Sequence, residues 1–329
     1  MEEKTSSGHS RATRALMATA AVAATTLLVA ACSSTASDPE PAATARPRVG
    51  IVLGGGGESG IAWQTGVLAA LANEARLTPD LVDVVVGTSA GAIAGGYFSA
   101  RLDLNQLVER ERSGDVATAP LPAGAGMSAI PPEIIAALNS TEGTIEERGR
   151  IVGELAMKTP TPISSADFVA YVGSMLPGTE WPELDFRPTS VNAETGKTVL
   201  WKRSDGVPLA AAIASSAAVP GFLPTIEIDG KHYTDAPRTS FSADLVAEKD
   251  LDAIIYIGMP TPNLSNTVEE DALNKLEAGG LRVVRITGGA DSDILIREAL
   301  DPKIRPRAAE MGLRDGAAAA DAVAKLLQP

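Results

Sequence analysis

From residue 48 onward the chain alternates short, unbroken apolar runs with longer stretches in which apolar positions recur every three or four residues. Arg48 to Leu53 (RVGIVL), Val82 to Val86, Ala253 to Ile257 and Leu281 to Ile286 are rich in β-branched residues and have the length of buried strands. Ile61 to Asn73 carries apolar residues at Ile61, Val67, Leu68 and Leu71, which is helical spacing. Similar patterns predict helices over 92–100, 102–112, 134–139, 145–157, 166–175, 209–218, 242–248, 269–278 and 308–327. Two hairpins are expected: 186–191 with 197–201 through Glu194-Thr195-Gly196, and 225–228 with 231–233 through Asp229-Gly230. Strands alternating with helices predict an α/β fold whose mainly parallel central sheet is covered on both faces.

The first 47 residues follow a different pattern. Lys4, Arg11 and Arg14 form a basic region, Ala15 to Ala31 carries no charge, and Val29-Ala30-Ala31 brings small residues up to Cys32. This looks like a bacterial lipoprotein signal: residues 1–31 are cleaved and Cys32 is lipid-modified, with an ordinary secretory signal or a short anchor as the alternative. Cys32 is the only cysteine, so no internal disulfide can form. Ser33 to Pro47 is a Ser/Ala/Pro-rich tether without apolar periodicity. The domain plan is therefore a signal at 1–31, a tether at 32–47 and a folded domain at 48–329, with the protein anchored outside the cytoplasm by its acyl chains.

Charge narrows the partners. The net charge of −13 becomes −14 when the signal removes three basic and two acidic groups, and such acidity repels nucleic acid. It also gives no help in adhering to anionic lipid, so a hold on the membrane would come from acylated Cys32.

The candidate chemistry lies at two turns. Val84 to Gly91 (VVVGTSAG) reads as a strand, a sharp turn and a helix, with Ser89 at the apex between two flanking glycines. That context is the one a Gly-x-Ser-x-Gly elbow needs to hold a serine hydroxyl out for attack, and it makes Ser89 the candidate nucleophile. The strand before it runs straight into Gly54-Gly55-Gly56-Gly57-Glu58-Ser59-Gly60. A glycine run between a strand and a helix start turns backbone N–H groups toward one point, where the helix dipole also favours negative charge. Gly55-x-Gly57-x-x-Gly60 also matches a dinucleotide fingerprint, but the next strand ends in Gly87-Thr88-Ser89 rather than in the acidic residue that reading requires. The remaining readings are an oxyanion hole built on Gly55, Gly56 and Gly57, or a turn chosen for tight packing.

A serine hydrolase needs a base. One of the two histidines, His9, leaves with the signal, and His232 precedes Asp235 within one hairpin, an order into which the α/β-hydrolase triad cannot be laid. His232 then reads as a half-exposed strand residue. The alternative to a triad is a dyad in which Asp235 contacts Ser89 directly, workable when the site is dry and the proton moves in concert with attack.

At this point the chain resembles the patatin-like phospholipases of bacteria. The resemblance rests on the glycine loop 54–60, the helix containing Gly66-Val67-Leu68, the elbow Gly87-Thr88-Ser89-Ala90-Gly91, the segment Ala214 to Pro224 (ASSAAVPGFLP) and Asp235, and it runs from about Arg48 to the C-terminus. It implies a three-layer α/β/α fold, a Ser89/Asp235 dyad, no metal or cofactor, and hydrolysis of acyl esters of lipids. The family usually carries Arg or Lys where this chain has Ser59, and glycine after the Asp where this chain has Ala236-Pro237.

Other readings of the same residues are a catalytically silent lipoprotein that binds lipids or a partner through the pocket, and acyl transfer to an alcohol. The apolar residues of 113–132 suit a lid, a lipid-facing loop or a plain insertion. Gly288 to Asp293 lacks enough carboxylates at the right spacing for a cation loop and reads as a solvated turn.

Overall fold

The structure, a computed structural model, describes residues 46–116, 130–176, 178–235, 241–259 and 264–328. The expected signal, Cys32, most of the tether and of the 113–132 stretch, and Ala236-Pro237 lie outside the described residues.

The apolar runs form strands of one eight-stranded sheet. Its parallel part is β1 (Val49–Leu53), β2 (Val84–Gly87), β3 (Phe186–Asn192), β7 (Ala253–Ile257) and β8 (Arg282–Ile286), in the order β3-β2-β1-β7-β8. β1 lies in the middle, pairing in parallel with β2 (Ile51 beside Val85) and with β7 (Ile51 beside Ile255). The two hairpins form as expected, and both attach to β3. β4 (Thr198–Leu200) and β6 (Lys231–Thr234) run antiparallel to it, and β5 (Ile226–Ile228) follows β6 outward. The sheet is thus mixed and mostly parallel.

Alternation along the central strands sends their side chains into two separate cores. Ile51, Leu53 and Val85 pack beneath α1 (Gly57–Glu74), α2 (Ala90–Ser99), α7 (Leu209–Ala217) and α11 (Arg305–Leu326). Val52, Val84 and Val86 face the other side, where Leu245 of α8 (Phe241–Lys249) and Leu273 of α9 (Leu264–Ala278) cover them. All five residues of β1 and all four of β2 are buried, as strands covered on both faces must be. The remaining helices are α3 (Leu104–Ser113), α4 (Pro132–Asn139), α5 (Ile145–Lys158), α6 (Ser165–Met175) and α10 (Asp293–Arg297). Among the described residues no helix is long and apolar enough to cross a membrane.

The fold is a three-layer α/β/α arrangement, and it decides where a site can be. The chain leaves β1 toward β2 on one side and later returns to β7 on the other, so a crevice opens at the C-terminal ends of β1 and β2, the usual ligand position in such sheets. Both glycine-flanked turns lie there.

Candidate active site

Ser89 occupies the turn between β2 and α2 with φ 55° and ψ −120°, a conformation L-residues avoid and one that costs about 1–3 kcal/mol unless its surroundings impose it. They do. The Thr88 N–H donates to Leu53 O at 3.0 Å and the Gly91 N–H to Thr88 O at 2.8 Å, while the Thr88 and Thr189 hydroxyls lie 2.8 Å apart. The Ser89 N–H donates to the hydroxyl of Ser216 in α7 at 2.9 Å. A Cβ on Gly91 would stand 2.5 Å from Leu53 O and 2.7 Å from Gly54 O, so only glycine lets α2 start this close to the end of β1. The elbow therefore presses directly on the glycine loop.

That loop begins one residue after β1. The Gly54 N–H is used by the sheet, donating to Ile257 O at 2.9 Å, and the Gly60 N–H closes the first helical turn onto Gly56 O. Among the described residues, the N–H groups of Gly55, Gly56 and Gly57 meet no acceptor. α1 starts at Gly57, four residues earlier than its apolar spacing predicts; Gly57 takes φ 60°, and no side chain caps the helix. The uncapped positive end of α1 thus points into the loop, and Gly55 lies so close to the elbow that a Cβ there would be 3.5 Å from Ser89 Cβ.

Ser59, where a basic residue was expected from the resemblance, is fully buried. Its hydroxyl lies 3.0 Å from Gly56 O and 2.7 Å from Leu295 O, and its N–H donates to Ala299 O at 3.3 Å. The cation near the loop comes instead from the far end of the chain. Arg305, 2% exposed, donates from Nη1 to Glu58 in the first turn of α1, and from Nε and Nη2 to Glu111 at 2.7 and 2.6 Å. Burial opposes its charge, yet the two carboxylates hold its pKa above that of an ordinary arginine. Neither Arg305 nor Glu111 could be found from sequence, because 247 and 194 positions separate Arg305 from its two partners and no local motif links them.

Asp235 follows β6. Its N–H donates to Ala218 O at 3.0 Å, and the same carbonyl accepts the Thr234 hydroxyl at 2.7 Å. Ser89 and Asp235 are therefore each tied to the C-terminal end of α7, at Ser216 and Ala218. The registers agree with this placement. Gly87 stands beside Pro188 and Val191 beside Thr234, so counting on along each ladder brings Ser89 and Asp235 level with the same residue of β3, Ser190. His232 is engaged elsewhere: its Nδ1 lies 2.9 Å from Glu194 Oε1, and the side chains are 41% and 39% exposed. Burial raises the Glu194 pKa, but the hydrogen bonds from His232 outweigh it and leave that carboxyl more acidic than usual.

Ser89 opens into a cavity of about 500 Å³, counting its open side. Ile61, Ile93, Phe168, Val172, Phe222 and Leu223 give it apolar walls, while Gly57 and Glu58 stand at its loop end. Among the described residues no cluster of His, Cys, Asp and Glu has the make-up of a metal site, and Asp291 in the 288–293 turn binds Arg314 at 2.8 and 2.9 Å.

No curated protein sequence matches the chain. Solved structures that match it include VipD from Legionella pneumophila (11% identity, TM-score 0.40, 84% of this chain and 67% of that one). Others are the type III effector ExoU of Pseudomonas aeruginosa (15%, TM-score 0.37, 84% and 54%) and human GIVD cytosolic phospholipase A2 in complex with methyl gamma-linolenyl fluorophosphonate (13%, TM-score 0.43, 85% and 59%). The chain spans between about half and two thirds of the length of these proteins. The family model described as patatin-like phospholipase matches residues 51–236, which is more than half of the chain and takes in the glycine loop, the elbow and Asp235. The chain belongs to the patatin-like phospholipase family.

Proposed function

We propose that the protein is a serine acyl hydrolase of lipid esters that works through a Ser89/Asp235 dyad. The observation that carries this reading is the strained Ser89 backbone held against Gly55, beside three amides without acceptors at the positive end of α1. Strain of this kind persists where the surrounding structure demands it, and here it presents a hydroxyl to an apolar cavity.

In this mechanism Ser89 Oγ attacks the ester carbonyl carbon while its proton passes to the Asp235 carboxylate. The carbonyl oxygen becomes an oxyanion and is received by the N–H groups of Gly55, Gly56 and Gly57, a contribution of about 10²–10³ in rate per donor in comparable sites. The intermediate collapses, the carbon–oxygen bond to the alcohol breaks, and Asp235 returns the proton to the departing alkoxide. Water then attacks the acyl-enzyme, giving up a proton to Asp235, and Ser89 recovers it as the fatty acid leaves. Apolar walls favour this route, because a carboxylate stripped of water is a stronger base than one in solution.

A fluorophosphonate probe should label the wild-type protein and fail on Ser89→Ala, and Asp235→Asn should lower turnover of a short p-nitrophenyl ester by about 10²-fold or more, the loss typical of a missing general base. A folded wild type that neither labels nor turns over the ester would overturn the proposal in favour of a silent lipid-binding protein. We further propose that Cys32 is acylated and anchors the enzyme outside the cytoplasm. Metabolic labelling with a radioactive fatty acid should mark the wild type and be lost in Cys32→Ser; equal labelling of both would count against it.

A further inference from the structure

Gln64 of α1 is wholly buried. Its amide reaches back to the end of β1, where Nε2 donates to Gly54 O at 2.7 Å, while its Oε1 is buried and meets no donor. A core position that leaves one end of an amide unsatisfied is better suited to an aliphatic side chain of the same shape. What glutamine adds there is the N–H on Gly54 O, and among the described residues that carbonyl has no other donor.

That contact governs the first peptide of the glycine loop. The Gly54 N–H is fixed on Ile257 O, so the chain first becomes free to turn at the bond between the Gly54 Cα and its carbonyl. Neither Gly54 nor Gly55 carries a side chain to hinder the turn. In a trans peptide the C=O and N–H point in opposite directions, so holding Gly54 O toward Gln64 turns the Gly55 N–H away from it. A flipped peptide would offer a developing oxyanion a carbonyl oxygen in place of a donor.

We propose that Gln64 is a positioning residue for the reaction: its amide clamps the Gly54–Gly55 peptide in the orientation that gives the Gly55 N–H to the oxyanion. Gln64 touches no reacting atom and acts through the backbone. The inference rests on the hydrolase reading above.

The test compares the wild type with Gln64→Met, which keeps the length of the side chain and removes the donor, with active sites counted by fluorophosphonate titration. Losing one oxyanion donor costs about 10²–10³ in rate, so kcat on p-nitrophenyl octanoate should fall at least about tenfold. KM should stay within about twofold, because the oxyanion exists only beyond the ground state. A trifluoromethyl ketone with an octyl chain extends the comparison. Ser89 Oγ adds to its carbonyl carbon, the proton passes to Asp235 and the oxygen becomes an oxyanion, so its inhibition constant should rise by the factor that kcat/KM loses. The matching methyl ketone, which binds without that addition, should change by less than about twofold. A glutamine that only completes the core would move Tm and leave kcat and the ratio of the two ketones alone. Should Gln64→Met fail to fold, a crystal structure of the fluorophosphonate-labelled wild type decides the matter, with the phosphoryl oxygen expected within about 3.2 Å of Gly55 N and Gln64 Nε2 still on Gly54 O. A smaller fall in kcat, a loss carried by KM, an unchanged ketone ratio, or a phosphoryl oxygen out of hydrogen-bond reach of Gly55 N would refute the clamp and leave the hydrolase standing. Failure of the wild type to take the label would remove the hydrolase reading and this inference with it.

Discussion

Replacing Arg305 by methionine keeps the length of the side chain and removes its charge, and the structure gives the consequence a size. Glu111 on α3 has a side chain 3% exposed and Glu58 one 15% exposed, and both lose the cation that their burial requires. Removing one member of a buried ion pair costs about 3–5 kcal/mol, mostly from the charge left behind, against a total stability of about 5–15 kcal/mol. At about 2–4 °C per kcal/mol for a domain of this size, Tm should fall by roughly 6–20 °C. Calorimetry at pH 8 measures it. Glu58→Gln/Glu111→Leu/Arg305→Met should recover most of the loss because an uncharged replacement of the whole cluster leaves no charge unpaired. Since Glu58 lies in the first turn of α1, fluorophosphonate labelling of Arg305→Met should also slow at a temperature where it is fully folded. A single variant within 2 °C of wild type, with the same labelling rate, would show that the cluster neither stabilises the domain nor sets the loop.

Two further outcomes follow from local geometry. Gly91→Ala forces a methyl to within 2.5 Å of Leu53 O, a backbone atom that cannot rotate away, so it should lose at least about 1–3 kcal/mol and its labelling. Gly55→Ala meets nothing closer than Ser89 Cβ at 3.5 Å and should keep its Tm; equal melting temperatures for the two variants would contradict this contrast. Glu269 of α9 is buried, with its carboxylate accepting the Phe241 N–H at 3.1 Å and the Ser242 hydroxyl at the start of α8, and burial raises its pKa despite those bonds. With a folded pKa above the unfolded one, its contribution is present below the unfolded pKa, near 4.3, and is lost as pH rises through the folded value. Glu269→Gln keeps both contacts without the titration, so its Tm should gain on the wild type as pH rises, and a constant difference from pH 4 to 8 would rule this out.

The layered fold was legible because its signals are local. β7 occupies 253–257 as read from its apolar run, and both hairpins form around the turns that Gly196 and Gly230 mark by φ 74° and 72°. Misplaced boundaries have tertiary causes. α1 begins inside the glycine run, where no apolar period can signal a start, because Ala299 O receives the Ser59 N–H and Arg305 holds Glu58. β2 begins at Val84 rather than Val82, since the Asp83 carboxylate turns aside to accept the Val49 N–H at 2.7 Å. α10, five residues long, is too short for periodicity to reveal. Of the site, the strained serine and its glycine neighbours could be read from spacing, whereas the convergence of Ser89 and Asp235 on α7 depends on strand order, and no pattern along the chain specifies that β6 returns to pair with β3.

The grip of 295–305 on the glycine loop has a consequence for the timing of biosynthesis. Leu295 and Ala299 hold Ser59, Arg305 holds Glu58, and all three come after the matched region 51–236. A nascent chain carrying the elbow and Asp235 still lacks the pieces that hold its glycine loop, since residues 295–305 follow Asp235 in the chain. Making the elbow and Asp235 is thus not enough to fix the loop; its closure waits on residues translated after both.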